Sequence, residues 1–318
     1  MSRLCDDAGQ AVGGTPLVAL DRLTAGLPGR VGVKLEFYAP GGSIKDRAAW
    51  AILEAAVRSG RLCPGQRVVE LTSGNLGAGL AAACAIKGYR FIAVMSMGNT
   101  PERRQMIRAF GAQVELVPQA AGGRPGQVSG ADMALVEART QKLVKKWKAF
   151  RPDQFNNPDS VAAHEFGTGP EIWAQSGGAV THFCSLVGSS GTLIGVAKAL
   201  KRRNPRVRTY AVEPACAQFL AGKRVRSSGH LLQGGGYALE PGIYDASVVD
   251  GTLPVSDAEA LRTARALARR EGIMAGFSSG ANVAAAIRLA RKAPRGSLIV
   301  TVICDTGLKY LSTNLYPA

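Results

Sequence analysis

At 318 residues the chain exceeds the size of a single hydrophobic core, so two units around a cleft are expected. A hydrophobic fraction of 46% excludes a disordered chain, and no apolar run approaches the ~20 residues that a membrane helix needs, so no membrane partner is expected. The net charge of +16 comes largely from clusters at or just past predicted helix ends (Lys142, Lys145, Lys146 and Lys148; Lys201–Arg208; Lys223–Arg226), where solvated cations are favoured. With no nucleic-acid module legible, this is read as a basic surface attractive to anionic substrates, with no specific nucleic-acid partner.

Met1–Gln10 lacks the basic-then-apolar pattern of a signal peptide, which makes the cytoplasm the expected location. Short β-rich runs then alternate with helical stretches. RVVEL at Arg67–Leu71, FIAVM at Phe91–Met95 and QVELV at Gln113–Val117 read as buried strands, separated by helices at Gly77–Lys87 and Thr100–Phe110. Thr100 as N-cap with Pro101 at the first helical position marks the second helix start. Pro118–Gly130, rich in Gly, Pro and Gln, reads as a surface loop before a helix at Ala131–Lys148. The rhythm then repeats, with a strand at His182–Val187, a helix at Thr192–Arg202 and a strand at Tyr210–Glu213. A helix capped by Ser256 and Glu259 runs to Arg270, and Leu298–Ile303 is a last strand. The fold class is therefore α/β, two lobes, each a mostly parallel sheet flanked by helices.

Six cysteines (Cys5, Cys63, Cys84, Cys184, Cys216 and Cys304) form no CxxC pair and read as buried free thiols. Three histidines with no HExxH grouping give no reason to expect a metal.

Four segments carry chemistry. In APGGSIKDR, Ser43 can cap a helix that holds Lys45 in its first turn, with Trp50, Leu53 and Val57 as the apolar face. Partial burial and the positive helix end lower the pKa of such a lysine and favour its neutral amine. LTSGNLGAG, directly after a strand, exposes backbone N–H groups at a helix start, with Thr72, Ser73 and Asn75 as side-chain donors: a carboxylate or phosphate receptor, or simply a capped helix packed through its glycines. VGSSGTLIG offers a nest for a phosphate in Gly188, Ser189, Ser190, Gly191 and Thr192, without the GK[ST] of a Walker loop. GFSSGA matches a nucleophile elbow at Gly276–Gly280, but no oxyanion motif or suitable histidine accompanies it.

Taken in order, these segments resemble the fold-type II pyridoxal-phosphate family, in its cysteine synthase and cystathionine β-synthase branch. The resemblance runs from VGGTPLV at Val12–Val18 through PERRQMIRAFGA, QFNNPDS, TGPEIW and AVEP to KYLST at Lys309–Thr313. It implies pyridoxal 5′-phosphate as cofactor, held by Lys45 as a Schiff base, with Lys45 also the base for the α-proton. It further implies that Asn75 meets the ring hydroxyl, that Gly188, Ser189, Ser190, Gly191 and Thr192 cup the phosphate, and that Ser278 meets the pyridine nitrogen. Thr72, Ser73, Leu76 (through its amide) and Gln154 would receive the substrate carboxylate, and the loop with Gly234 and Tyr237 would face the substrate.

A neutral serine at the ring nitrogen makes a weaker electron sink than an aspartate. The implied reaction is therefore β-replacement on O-acetylserine, O-phosphoserine or a similar serine derivative through an aminoacrylate, with sulfide, another thiol or an amine as nucleophile. The resemblance also implies a smaller mobile lobe at 45–153, a larger lobe formed by 1–44 and 154–318, and a homodimer.

Three residues depart from the family pattern: Leu76 replaces a threonine, Ala39 an asparagine and Ser190 a glycine, which narrows the phosphate cup or adds a hydroxyl donor. The Pro118–Gly130 loop is longer than usual. The alternative is a β-eliminating lyase, a serine/threonine dehydratase or cysteine desulfhydrase, although SIKDR and GSSGT differ from the dehydratase pattern. A non-catalytic partner protein has no use for Lys45, Asn75 and Ser278 together.

Overall fold

The computed structural model describes residues 4–123, 125–227 and 229–316. Two sheets organise them. The larger has the order β1 (Leu17–Ala19), β2 (Arg30–Leu35), β9 (Leu298–Ile303), β6 (Val180–Leu186), β7 (Arg208–Pro214) and β8 (Gly251–Val255). Only the β1–β2 pair is antiparallel. The smaller is parallel, in the order β3 (Arg67–Leu71), β4 (Arg90–Ser96) and β5 (Gln113–Val117). Two α/β units with parallel sheets are thus present.

Helices α1 (Lys45–Arg58), α2 (Asn75–Lys87), α3 (Pro101–Ala109) and α4 (Gly130–Trp147) accompany the small sheet. Helices α5 (Asp159–Ala163), α6 (Gly169–Gln175), α7 (Gly191–Arg203), α8 (Asp257–Ala266) and α9 (Phe277–Lys292) accompany the large one. A core around Leu20, Val212, Phe277 and Ile303 lies on one face of the large sheet, and a separate core around Ile52, Leu53, Val68, Leu80 and Met95 fills the small unit.

Several local readings are sharpened or corrected. Thr100 is the N-cap of α3 with Pro101 at its start, but its hydroxyl donates to the Lys309 carbonyl at 3.0 Å instead of capping the helix. Ser256 and Glu259 do form a capping box, yet α8 ends at Ala266 and a π-helical turn, Leu267–Glu271, completes the segment. The inner face of α1 consists of Ala48, Ala49, Ile52, Leu53 and Ala56. Val57 is 42% exposed and Trp50 only half-buried, because the helical period turns both off the stripe that Ile52 and Ala56 define. Cys84 and Cys184 are buried, but Cys5 and Cys63 are exposed, so the reading of all six thiols as interior fails for those two. Among the described residues no helix is long and apolar enough to cross a membrane.

Candidate active site

Strands β3, β6 and β9 all point their C-terminal ends at one cleft of about 650 Å³, counting its solvent-open mouth. Ligands of open parallel sheets bind at such ends. The small unit contributes Lys45, Thr72, Ser73, Asn75 and Leu76, the large one Gly188, Ser189, Thr192, Gly234, Tyr237 and Ser278, and Gln154 completes the wall. Ser190 and Gly191 are buried but do not line it.

Lys45 opens α1, with Ser43 Oγ accepting from its backbone N–H at 3.3 Å. Its side chain is half-buried and its pKa lies below that of a free lysine, because desolvation outweighs the pull of Cys304 and Asp305. The amine forms no ion pair among the described residues and is free for covalent chemistry.

Two strand–loop–helix turns face each other across the cleft. In the first, Thr72 Oγ1 accepts from the N–H groups of Gly74 and Gly77, both at 2.9 Å. Its hydroxyl proton remains available to a ligand oxygen. Gly74, the N-cap of α2, has φ +124°, and a Cβ there would lie 2.5 Å from the Arg103 side chain, so only glycine fits. Leu76 packs into the small core while keeping a place on the cleft wall. The Ser73 hydroxyl meets the Tyr237 hydroxyl at 2.8 Å, and Gln154 donates weakly to the Leu71 carbonyl at 3.3 Å.

The second turn precedes α7. Ser190 is its N-cap in the left-handed region, φ +68°, and donates its hydroxyl to the Ser189 carbonyl at 2.6 Å. The serine therefore adds no donor to the cup and carries backbone strain instead. Thr192 Oγ1 lies 3.3 Å from Nε2 of buried His164, whose Nδ1 meets Thr168 Oγ1 at 3.0 Å. Burial, then the nearby Lys45 and Arg47 charges, hold this imidazole neutral. On the large unit's side, Ser278 Oγ donates to the Gln233 carbonyl at 3.2 Å.

A phosphorylated pyridine aldehyde fits these residues. The α7 start leaves backbone N–H groups uncapped by any side chain, and a Cβ on Gly188 would come within 2.2 Å of the Gly234 carbonyl, which keeps the cradle narrow and side-chain-free. Lys45 supplies the amine, Asn75 an amide on the same wall, and Ser278 a hydroxyl.

Reading the sequence missed the support behind Asn75. Lys309 Nζ donates to Asn75 Oδ1 at 3.0 Å and to the Gly41 carbonyl at 2.9 Å, while Asn75 Nδ2 donates to Asp305 at 2.8 Å. The amide is thereby fixed, with one N–H left over for the cleft. Burial brings the Lys309 pKa down to about 8. Arg103, wholly buried, donates to the Ser73 carbonyl and to the Tyr310 hydroxyl, each at 2.6 Å, and Tyr310 donates to Asp305 at 2.8 Å. The only trace of this network in the sequence lay in the PERRQ and KYLST stretches. A second buried cluster joins Arg47 to Glu36 and Glu171, each at 2.7 Å, and Lys34 to Glu171 at 2.6 Å.

Residues 8–305 match the model of the family described as pyridoxal-phosphate dependent enzyme. The chain is 42% identical to cysteine synthase 3 of Caenorhabditis elegans, over 99% of this chain and 92% of that one. Among solved structures, O-ureido-L-serine synthase superposes with a TM-score of 0.90 at 39% identity, covering 98% of this chain and 95% of that one. A hydrogen sulfide-producing enzyme from Fusobacterium nucleatum superposes at 0.89 with 34% identity, covering 97% and 100%. With its motifs in order, its strand ends converging on a free lysine and a match over nearly its whole length, the chain belongs to the pyridoxal-phosphate dependent enzymes of fold-type II, in the cysteine synthase branch.

Proposed function

We propose that this protein replaces the β-substituent of a serine derivative, O-acetylserine or O-phosphoserine in the first instance, with sulfide or a related thiol or amine. The observation that carries the reading is one cleft holding a free Lys45 amine, an anion receptor on each side, and a neutral Ser278 in place of an acid. Pyridoxal 5′-phosphate, when bound, supplies a ring that withdraws electrons from the substrate's α-carbon.

The chain's own groups do the rest. The N–H groups at the start of α7 and the hydroxyls of Ser189 and Thr192 hold the phosphate. Asn75, fixed by Lys309 and Asp305, holds the ring hydroxyl. The Thr72 hydroxyl, the Ser73 hydroxyl, the Leu76 amide and Gln154 receive the substrate carboxylate, and the neutral Lys45 amine removes the α-proton. Ser278, a neutral hydroxyl, would meet the ring nitrogen without holding it protonated as an acid would, which would favour departure of a β-leaving group. Closure of the 45–153 lobe on the bound carboxylate excludes water. The enzyme is a transferase acting in the cytoplasm as a homodimer.

The test is product analysis with serine, O-acetylserine and O-phosphoserine, each with and without sulfide. A donor-specific β-substituted amino acid is expected. Pyruvate as the main product whether or not sulfide is present would overturn the reading in favour of a β-eliminating lyase.

A further inference from the structure

Beside Tyr237 lies a small cavity that adjoins the catalytic cleft and has room for about one water molecule. Its wall includes Asn99, His230 and Gln233, and it shares Ser73, Gln233, Gly234 and Tyr237 with the cleft. These three side chains are 3%, 6% and 7% exposed, and each carries a buried polar atom without a hydrogen-bond partner: Asn99 Nδ2, His230 Nδ1 and Gln233 Oε1. Buried polar groups are satisfied in nearly all native structures, so three orphans around one cavity point to a missing molecule.

The chemistry of that molecule follows from the donors. His230 Nε2 lies 2.9 Å from the Gly236 carbonyl, which can only accept, so in the neutral ring the proton is on Nε2 and Nδ1 presents a lone pair. Gln233 spends its Nε2 on the Gly126 carbonyl at 2.7 Å, leaving Oε1 as an acceptor. Asn99 Nδ2 is a donor. One donor and two acceptors complement a neutral molecule that accepts once and donates twice. An anion would meet two lone pairs, and a cation would meet an N–H.

We infer that this cavity binds one neutral dihydride, water at rest and hydrogen sulfide during turnover, as a waiting position for the second substrate; the inference rests on the β-replacement reading above. The partition is the hydrogen bond between Tyr237 and Ser73, with the Tyr237 ring held edge-on to Phe155 at 6.0 Å. Ser73 sits in the loop proposed to bind the substrate carboxylate. A carboxylate that takes the Ser73 hydroxyl releases Tyr237, so the partition opens once the donor is bound. The long Pro118–Gly130 segment forms the outer wall through Val128 and the Gly126 carbonyl.

Filling the cavity tests this. Asn99→Leu and His230→Leu are expected to raise the KM for sulfide about tenfold, which is about 1.4 kcal/mol. Leaving-group release from the donor alone, and the KM for a bulky aromatic thiol too large for the cavity, should stay at wild-type values. Crystals of the wild-type holoenzyme soaked with alanine, an amino acid with no β-leaving group, and with sulfide buffered below its first pKa, where the neutral dihydride dominates, should show an anomalous sulfur peak within hydrogen-bond distance of the three orphan atoms. Solvent there without sulfur, an unchanged KM for sulfide, or equal shifts for sulfide and the bulky thiol would overturn the inference. A wild-type enzyme that turns over no sulfide would refute the β-replacement reading instead, and the sulfur peak reports on the cavity independently of turnover.

Discussion

The two turns proposed to receive anions in the cleft are built alike and fastened differently. Each follows a parallel strand and opens a helix, and each has an N-cap residue at positive φ, Gly74 for α2 and Ser190 for α7, that makes no capping bond with its own side chain, although Thr72 takes the Gly77 N–H of α2. Both therefore leave N–H groups for a ligand. The α7 turn is fixed inside the large unit: Ser190 bonds its neighbour's carbonyl, and buried, neutral His164 holds Thr192. The α2 turn, braced internally by Thr72, is also fastened from outside, through Ser73 to Tyr237 and Arg103, and through Asn75 to Asp305 and Lys309. A cofactor that stays bound suits the first arrangement. A substrate that comes and goes suits the second, whose ties can be exchanged.

The largest effect is expected at the amine that both receptors serve. Lys45→Ala should lower turnover by about 10³-fold or more, the scale of a positioned general base lost, with the protein still folded by circular dichroism. The comparison breaks if this variant keeps wild-type turnover.

Next, Thr72→Val and Thr192→Val should separate the two turns. The first removes the acceptor of two backbone N–H groups and a proposed carboxylate donor, and is expected to raise the KM of the amino-acid donor about 30-fold, equivalent to about 2 kcal/mol. The second should weaken cofactor retention about tenfold, measured by fluorescence titration, and leave that KM nearly unchanged. Equal effects on both quantities would show the turns to be interchangeable.

A third test concerns what ties the helix carrying Lys45 to α6 of the large unit. Two cations, Arg47 and Lys34, keep Glu171 at about 2 against burial, from an ordinary 4.5. A depressed carboxylate stabilises the fold above its unfolded pKa and loses that contribution as pH falls. Stability should therefore drop by about 3 kcal/mol between pH 4.5 and 2. Glu171→Gln should be less stable at pH 7 and flatter across that window in urea melts.

The smallest effect is expected for Ser190→Gly. It should raise stability by up to about 1 kcal/mol by relieving the left-handed strain, with cofactor affinity unchanged because the lost hydroxyl never faced the cup.

The parallel strands of the small unit and both receptor turns were legible because each is a local pattern: an apolar run, then small residues, then a helix. β2 escaped notice because RVGVKL buries Lys34 completely, which breaks any apolar alternation; its amine is satisfied by Glu171 and Gln175, far along the chain. β8 carries Pro254 and lies at the sheet's edge, the one place where a strand tolerates proline. Arg103, Asp305, Lys309 and Tyr310 read singly as surface charges and an aromatic. They become one buried network only when α3 meets the C-terminal segment, some 200 positions away, as the Arg103–Tyr310 separation of 207 shows. Long-range charge pairing leaves no periodic trace.

The cluster of Lys34, Glu36, Arg47 and Glu171 has a mechanical consequence. Arg47 pins the first turn of α1 to Glu36, just after β2, and to Glu171 in α6, while Ala49, Ile52 and Leu53 on the same helix belong to the core of the small unit. The helix is riveted at one end to the large sheet and travels along its flank with the small one. If the sheets rock as proposed, its first turn would be the axle, and the Lys45 amine proposed to react, two residues from the rivet, would be mounted where rocking displaces it least.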